Sequence, residues 1–371
     1  MSKKIGILTY HSAINYGAAL QCYALRQALN QYSSDVSVLN LVTKLQEDNN
    51  SILKKGKGVK SIIIQIALLP FLGKRIKKNK RFEEFQNLYF NCTDRIENQD
   101  EFQELLKRIE IDTVIVGSDQ VWCPSIEDFT DNFFIPFDMP ITKIGYGVSI
   151  GKTEKEGLLP YKKYIELFSY IGVREKSAIS VLQQVVNKEL IEVVDPTLLL
   201  TRQKWLSIVE KIESKKISKP YMICYFLKKE QFNVSYQLAK KIAREKGLEI
   251  YFINQRYSRH SFNKNTIYDA GPQEFLELIK NSDFVCTDSF HGTIFSLIFQ
   301  KEFYTFIESK QGKDTRRQDL LKNLDAFERC IYLDDIHLSE GVINYKQINK
   351  KLNAMRDKSN QFLKYALLNE D

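Results

Sequence analysis

Lys4-Ile-Gly-Ile-Leu-Thr-Tyr10 runs into His11-Ser-Ala-Ile-Asn15-Tyr-Gly-Ala-Ala-Leu-Gln21, and this stretch decides the fold class. A short apolar strand gives way to a loop of small and polar residues and then to a segment at helical period. The unit repeats along the chain. Strand-like runs rich in Val, Ile, Phe and Tyr occur at Val36 to Leu41, Thr113 to Gly117, Lys143 to Val148, Tyr170 to Val173 and Ile191 to Val194. Further runs follow at Tyr221 to Phe226, Glu249 to Ile253, Phe284 to Cys286 and Phe303 to Ile307. Helical patterns such as Tyr16 to Gln31, Glu175 to Val185, Phe232 to Lys246 and Glu274 to Asn281 lie between them. Successive strands joined by helices must lie parallel, so the pattern predicts doubly wound α/β sheets with helices on both faces.

With 371 residues the chain has room for two such cores. The stretch Gly151 to Leu159, ended by Pro160, carries two glycines and two Lys-Glu pairs, and predicts a domain boundary near 158. The expected division is a first domain at 1–158 with an insert at 50–82, a second at 159–343, and a helix at 344–371 returning to the first. Two doubly wound domains facing a cleft would present their strand C-termini to a ligand there.

Composition excludes disorder and fibrous classes: 43% of residues are hydrophobic and 27% charged. Six cysteines without a C-x-x-C pair fit neither a zinc site nor a disulfide framework, and read as free thiols in a reducing compartment. The opening Met-Ser-Lys-Lys leads directly into a strand and lacks the form of a signal peptide, so a cytoplasmic location is expected. Between Lys54 and Arg81 stand ten basic residues and no acidic one, more than the whole net charge of +8. That segment holds the apolar run Ile62 to Leu72, interrupted by Gln65 and Pro70 and far short of the roughly 20 residues a spanning helix needs. Two readings stand: peripheral contact with an anionic membrane through 54–81, or an insertion whose apolar face packs on the body while its lysines are solvated. No basic stripe elsewhere and no recognisable module argue for nucleic-acid binding.

The loops after strands carry the candidate chemistry. In the first, Asn15, Tyr16 and Gly17 open a helix, either as an anion or hydroxyl site or as a plain cap with Asn15 as N-cap. After Thr113 to Gly117 come Ser118-Asp119-Gln120-Val-Trp122; Asp119 and Gln120 suit hydroxyls and Trp122 a stacking face for a sugar, or Asp119 forms a turn beside a core Trp122. After Phe284 to Cys286 come Thr287-Asp-Ser289-Phe-His291-Gly292, with one of only four histidines at a helix start. There His291 could serve as base, donor or phosphate partner, and Gly292 would leave room for a ligand. Arg174 and Arg316-Arg317 are guanidinium candidates for an anion, with surface ion pairs as the alternative. Gly145-Tyr-Gly-Val-Ser-Ile-Gly151 misses the dinucleotide spacing by one residue, and Gly151-Lys-Thr lacks the first glycine of a P-loop.

Taken in order, these segments resemble the polysaccharide pyruvyl transferase family. The resemblance rests on Gly6-Ile-Leu-Thr-Tyr-His, Asn15-Tyr-Gly-Ala, Phe82-Glu-Glu-Phe85, Val116-Gly-Ser-Asp-Gln-Val-Trp122 and Gly145-Tyr-Gly-Val-Ser149. It continues through Val173-Arg-Glu175, Val194-Asp-Pro-Thr-Leu198, Thr287-Asp-Ser-Phe-His-Gly292 and Arg316-x-x-x-Leu-Leu321. It implies a GT-B-like pair of Rossmann-type domains, and transfer of a pyruvyl group from phosphoenolpyruvate to two hydroxyls of a polysaccharide sugar or its lipid-linked precursor. Phosphoenolpyruvate is then a co-substrate, and neither metal nor cofactor is expected. By the same resemblance His291 would donate a proton or hold phosphate, with Arg174 gripping the donor. Ser289, Gly292, Lys310 (or its rival Lys313) and Arg316 would complete the donor pocket, and Asn15, Tyr16, Asp119, Gln120 and Trp122 would face the acceptor. One departure stands out: several members carry arginine where this chain has Ser289. The alternatives are a nucleotide-sugar glycosyltransferase of the same architecture, and a carbohydrate-binding relative without turnover.

Overall fold

A computed structural model describes residues 3–51, 69–211, 217, 220–254, 265–310 and 315–368. The elements run β1 (Lys4–Leu8), α1 (Tyr16–Leu29), β2 (Asp35–Leu41), α2 (Lys44–Asn50), α3 (Leu72–Tyr89), β3 (Cys92–Ile96), α4 (Gln99–Arg108), β4 (Thr113–Val116) and β5 (Thr142–Val148). There follow α5 (Lys155–Leu158), α6 (Lys162–Ile165), β6 (Tyr170–Val173), α7 (Lys176–Leu182), β7 (Leu190–Glu192), α8 (Pro196–Leu199), α9 (Arg202–Val209), β8 (Tyr221–Tyr225), α10 (Phe232–Lys246) and β9 (Glu249–Ile253). The chain ends with β10 (Thr266–Ile267), α11 (Pro272–Asn281), β11 (Phe284–Thr287), α12 (Phe290–Ile298), β12 (Glu302–Ile307), α13 (Arg316–Asn323), β13 (Cys330–Tyr332) and α14 (Tyr345–Leu368).

Two compact units result: Met1–Ser51 with Glu84–Leu200 and Asn353–Asp371, and Ile52–Glu83 with Thr201–Leu352. The first holds a parallel sheet in the order β3-β2-β1-β4-β5-β6-β7, the second a parallel sheet in the order β10-β9-β8-β11-β12-β13. Both are doubly wound, reversing direction between β1 and β4 and between β8 and β11. The loops beyond those strand pairs are the switch points where such sheets bind ligands.

The boundary near 158 is displaced. β6 and β7, assigned from sequence to the second domain, extend the sheet of the first: β6 pairs with β5, Gly145 opposite Ile171 and, after a register shift, Val148 opposite Val173, and β7 pairs with β6, Gly172 opposite Ile191. The glycine-rich break at 151–160 is a crossover within one sheet, and the units part after Leu200. The final helix begins in the second unit, and from Asn353 onward it packs on the first. Ser359 Oγ accepts the Val194 N–H at 2.9 Å, Arg356 Nε donates to Leu198 O at 2.8 Å, and the Phe362 ring fills the space over Gly172.

In the basic insert, 52–68 and so most of the apolar run lie outside the described residues. The remainder docks on its own unit rather than standing in solvent. Arg81 pairs with Glu274 at 2.9 Å and Asp269 at 3.5 Å, Lys77 with Asp269 at 3.1 Å, and Lys74 lies 5.1 Å from the Tyr268 ring centre. Lys78 is buried against Asn254 O at 3.0 Å, and its ammonium is pushed down to about 7 by burial and by Arg75. Among the described residues no helix is long and apolar enough to cross a membrane. All six thiols are free; five are buried and Cys92 is exposed.

Candidate functional site

Each unit has a polar cluster at its switch point. In the first, β1 and β4 end side by side and their loops are laced together. Gln21, reaching from α1, donates Nε2 to Thr9 Oγ1 at 2.8 Å and accepts the Ser118 N–H at 3.1 Å, while Thr9 Oγ1 donates to Ser118 O at 3.0 Å. Ser118 Oγ donates to Gly147 O at 2.9 Å. Gly117 must be glycine: its φ is +125°, and a Cβ there would stand 2.2 Å from Tyr146 O. This turn aims Asp119, also at positive φ (74°), back over β5, where its carbonyl accepts the Ser149 N–H at 3.1 Å.

Behind Asp119 sits Arg174, at the end of β6. Its guanidinium meets Asp195 at 2.9 Å, Asp119 at 3.4 Å and Glu175 at 3.5 Å, with only 2% of the side chain exposed. Burial works against its charge, but the carboxylates of Glu175, Asp119 and Asp195 outweigh burial and hold it above the ordinary guanidinium range. Asp195 also accepts from the Thr197 N–H at 3.0 Å and Thr197 Oγ1 at 2.6 Å, capping α8, and Glu175 takes the Ser149 hydroxyl. Arg174 thus ties together the ends of β4, β5, β6 and β7.

The second switch point is built the same way with other residues. Asp288 accepts the Leu227 N–H at 2.6 Å and the Lys228 N–H at 3.0 Å, stitching the loop after β11 to the loop after β8. Burial raises its carboxyl, opposed by those two N–H groups, Arg317 and Lys228. Ser289 is the N-cap of α12, its hydroxyl accepting the Gly292 N–H at 3.2 Å. His291 occupies the first turn of that helix, 9% exposed, its ring 5.5 Å from that of Phe290. The Arg316 guanidinium lies over the other neighbour of that loop, 5.6 Å from the Phe290 ring centre. Arg317 is buried and donates to Phe306 O at 2.6 Å and Thr305 Oγ1 at 3.3 Å, so the two adjacent arginines differ in role.

The candidate residues occupy different settings, and for Asn15 and Trp122 the plain structural alternative is the one seen. Arg174 and His291 belong to different units, and Arg174 is committed to three carboxylates. Trp122 is wholly buried, stacked on Phe134 at 5.4 Å and edge-on to Phe168 at 5.0 Å, with Nε1 donating to Phe133 O at 3.1 Å, so it offers no face to a sugar. Tyr16 is wholly buried as well. Asn15 acts as the N-cap of α1, accepting from Gly17 N at 2.9 Å and Ala18 N at 3.3 Å. The space beside Gly292 is filled by Thr287, whose Oγ1 would lie 2.4 Å from a Cβ, so this glycine serves helix-on-strand packing. Lys310 is exposed and paired with Asp335 at 2.5 Å, and Lys313 lies outside the described residues. Asp119 and Gln120 remain partly exposed at the first switch point, and Ser289, His291 and Arg316 gather at the second.

Sequence reasoning missed Gln21, Ser118 and Asp288 as the residues that join loop to loop. A polar side chain buried directly after a strand was the available signal. It also missed that Asp195 and Glu175, two acids within apolar surroundings, imply a buried cation.

Comparison with solved structures recovers the architecture over nearly the whole chain. The UDP-GlcNAc 2-epimerase of Methanocaldococcus jannaschii, solved with UDP-GlcNAc and UDP, is 15% identical with a TM-score of 0.52, covering 96% of this chain and 93% of that one. That of Neisseria meningitidis bound to UDP-GlcNAc is 10% identical with a TM-score of 0.50, covering 98% and 94%. At such identity the likeness shows the fold alone, a GT-B-like pair of Rossmann-type sheets. No curated protein matches. The family model described as polysaccharide pyruvyl transferase matches residues 15–309, most of the chain, and the chain therefore belongs to the polysaccharide pyruvyl transferase family.

Proposed function

We propose that this protein transfers the pyruvyl group of phosphoenolpyruvate to two hydroxyls of one saccharide residue, leaving a cyclic ketal and inorganic phosphate. The reaction balances without redox chemistry. A proton adds to the terminal methylene, one hydroxyl oxygen bonds to C2, the C2–O bond to phosphate breaks, and the second hydroxyl oxygen closes the ring. One hydroxyl proton replaces that delivered to the methyl group, and the other leaves with phosphate. Such a reaction needs a proton donor beside an anion-binding helix terminus. What supports the reading, beyond family membership, is His291 in the first turn of α12 at the second switch point, with Arg316 over the adjoining Phe290 and Lys228 on the facing loop. Arg316, together with Lys228, whose ammonium also lies 4.0 Å from Glu308, supplies the positive charge for the donor in place of Arg174. The acceptor is a sugar of a polysaccharide repeat or its lipid-linked precursor.

The test is incubation with phosphoenolpyruvate and a panel of galactose- and mannosamine-type acceptors, following phosphate release and the new ketal methyl resonance. His291→Gln should lower turnover by about 100-fold or more at unchanged melting temperature. Absence of measurable phosphoenolpyruvate affinity in the unaltered protein would refute the donor assignment.

A further inference from the structure

The loop after β1 carries a group that neither the fold nor the His291 cluster uses. Tyr10 is 6% exposed, its ring packed at 4.7 Å on Phe133, and its hydroxyl has no hydrogen-bond partner among the described residues. Leaving a buried hydroxyl unmade is costly, so its partner is sought in what binds there. Burial above all, and after it the charges of Asp128 and Asp119, keep the phenol protonated and able to donate. Both carboxylates are held in place. Asp119 is fixed from behind by Arg174 at 3.4 Å, its side chain 23% exposed. Asp128 accepts from Gln46 Nε2 at 3.3 Å, and the Oε1 of the same buried amide accepts the Ser12 hydroxyl at 2.8 Å, tying the Asp128 loop to the loop that carries Tyr10.

The Tyr10 hydroxyl is bonded to neither of the two carboxylates whose field it feels, so a group that joined the three would have to both accept and donate. Hydroxyl groups do both; phosphate and carboxylate anions only accept, and two carboxylates repel them. We propose that Tyr10, Asp119 and Asp128 form a subsite for hydroxyls of a neutral saccharide, the phenol donating to a sugar oxygen and the carboxylates accepting from sugar hydroxyls. This rests on the reading of the acceptor as a saccharide, and it adds Tyr10 and Asp128 to the residues that the sequence places toward the acceptor.

The experiment is saturation-transfer NMR on the full chain, without phosphoenolpyruvate, using a panel of methyl hexosides and methyl N-acetylhexosaminides. At least one should bind saturably and not be displaced by inorganic phosphate. Tyr10→Phe should weaken that binding about 5- to 10-fold and Asp128→Asn about 10-fold, as expected for one neutral and one charge-assisted hydrogen bond. The melting temperature of Tyr10→Phe should hold or rise, since a stranded hydroxyl is removed. Overturning results are an unchanged affinity in both variants, displacement by phosphate, or no binding of any probe by the unaltered protein. Because the donor is absent, failure of pyruvyl transfer with sugar binding intact refutes the donor chemistry alone. Loss of the subsite shows in binding even where turnover persists.

Discussion

Replacing Arg174 by glutamine separates a structural guanidinium from a donor-gripping one. The variant keeps a polar side chain of similar reach but leaves Asp195, whose side chain is wholly buried, and Glu175, 6% exposed, without the cation that compensates them. Breaking a buried pair in this way costs about 3–5 kcal/mol, because the remaining charge stays out of water. Asp195 retains its bonds to Thr197, which favours the lower end. For a unit of this size, each kcal/mol lowers the melting temperature by about 2–4 °C, so a fall of roughly 6–20 °C is expected. Thermal and urea unfolding measure it, with phosphoenolpyruvate affinity followed in parallel below the transition. The double variant Arg174→Gln/Asp195→Asn should recover about 1–3 kcal/mol, since it also removes one stranded charge. Stability within about 0.5 kcal/mol of the unaltered protein, together with collapsed phosphoenolpyruvate affinity, would refute the keystone reasoning and restore Arg174 to the donor pocket.

Three further outcomes follow from packing and charge. Gly292→Ala drives a Cβ to 2.4 Å from Thr287 Oγ1, and the strain should cost about 1–3 kcal/mol in a urea titration; no loss would show that α12 can shift from β11 freely. Trp122→Phe removes the Nε1 bond to Phe133 O and part of the contact with Phe134 and Phe168, so stability should fall by about 1–3 kcal/mol while sugar affinity holds; a selective loss of sugar affinity would return Trp122 to the acceptor site. Lys78, near 7 in the folded state against an ordinary value near 10.5, binds fewer protons folded than unfolded between those limits. Stability should therefore rise as pH increases from about 7 toward 10. Lys78→Met should flatten that rise and be more stable than the unaltered protein at pH 6, where both states of the lysine are charged; urea midpoints across the range decide it.

Strand runs such as Ile5 to Leu8 and Val114 to Val116 were legible because parallel strands buried on both faces must be apolar throughout. β3, with the sequence Cys-Thr-Asp-Arg-Ile at the sheet edge, is largely exposed and carries no such signature. The boundary failed for a related reason. Glycine, charge and proline at 151–160 report that the chain turns, and a turn between two strands of one sheet looks the same in sequence as a linker between domains. Trp122 and Tyr16 were placed toward a ligand because they follow strands, yet the local sequence does not say which way a loop aromatic faces. Asn15 and Ser289 show the same limit: capping and ligand binding favour the same residue types, and only the paired N–H groups distinguish them.

The two switch points share a construction but not a charge. In the first unit three carboxylates, Asp119, Glu175 and Asp195, gather around one guanidinium, that of Arg174, and Asp128, held by Gln46, adds a fourth negative charge at the same switch point. In the second, Asp288 is consumed by two backbone N–H groups and the field of Arg317, while Arg316 and Lys228 stand about the first turn of α12. A doubly charged enol ester entering the first cluster would meet uncompensated carboxylates; entering the second it would meet cations and a helix N-terminus. Neutral hydroxyls have the opposite preference for acceptor-rich surroundings. On the proposed reaction, the same architecture with different charges suits the first cluster to neutral hydroxyls and the second to the anionic donor. Ser289 fits the same division: as the cap of α12 it satisfies a helix N–H that a long arginine side chain would leave open, and the positive charge at that loop comes from Arg316.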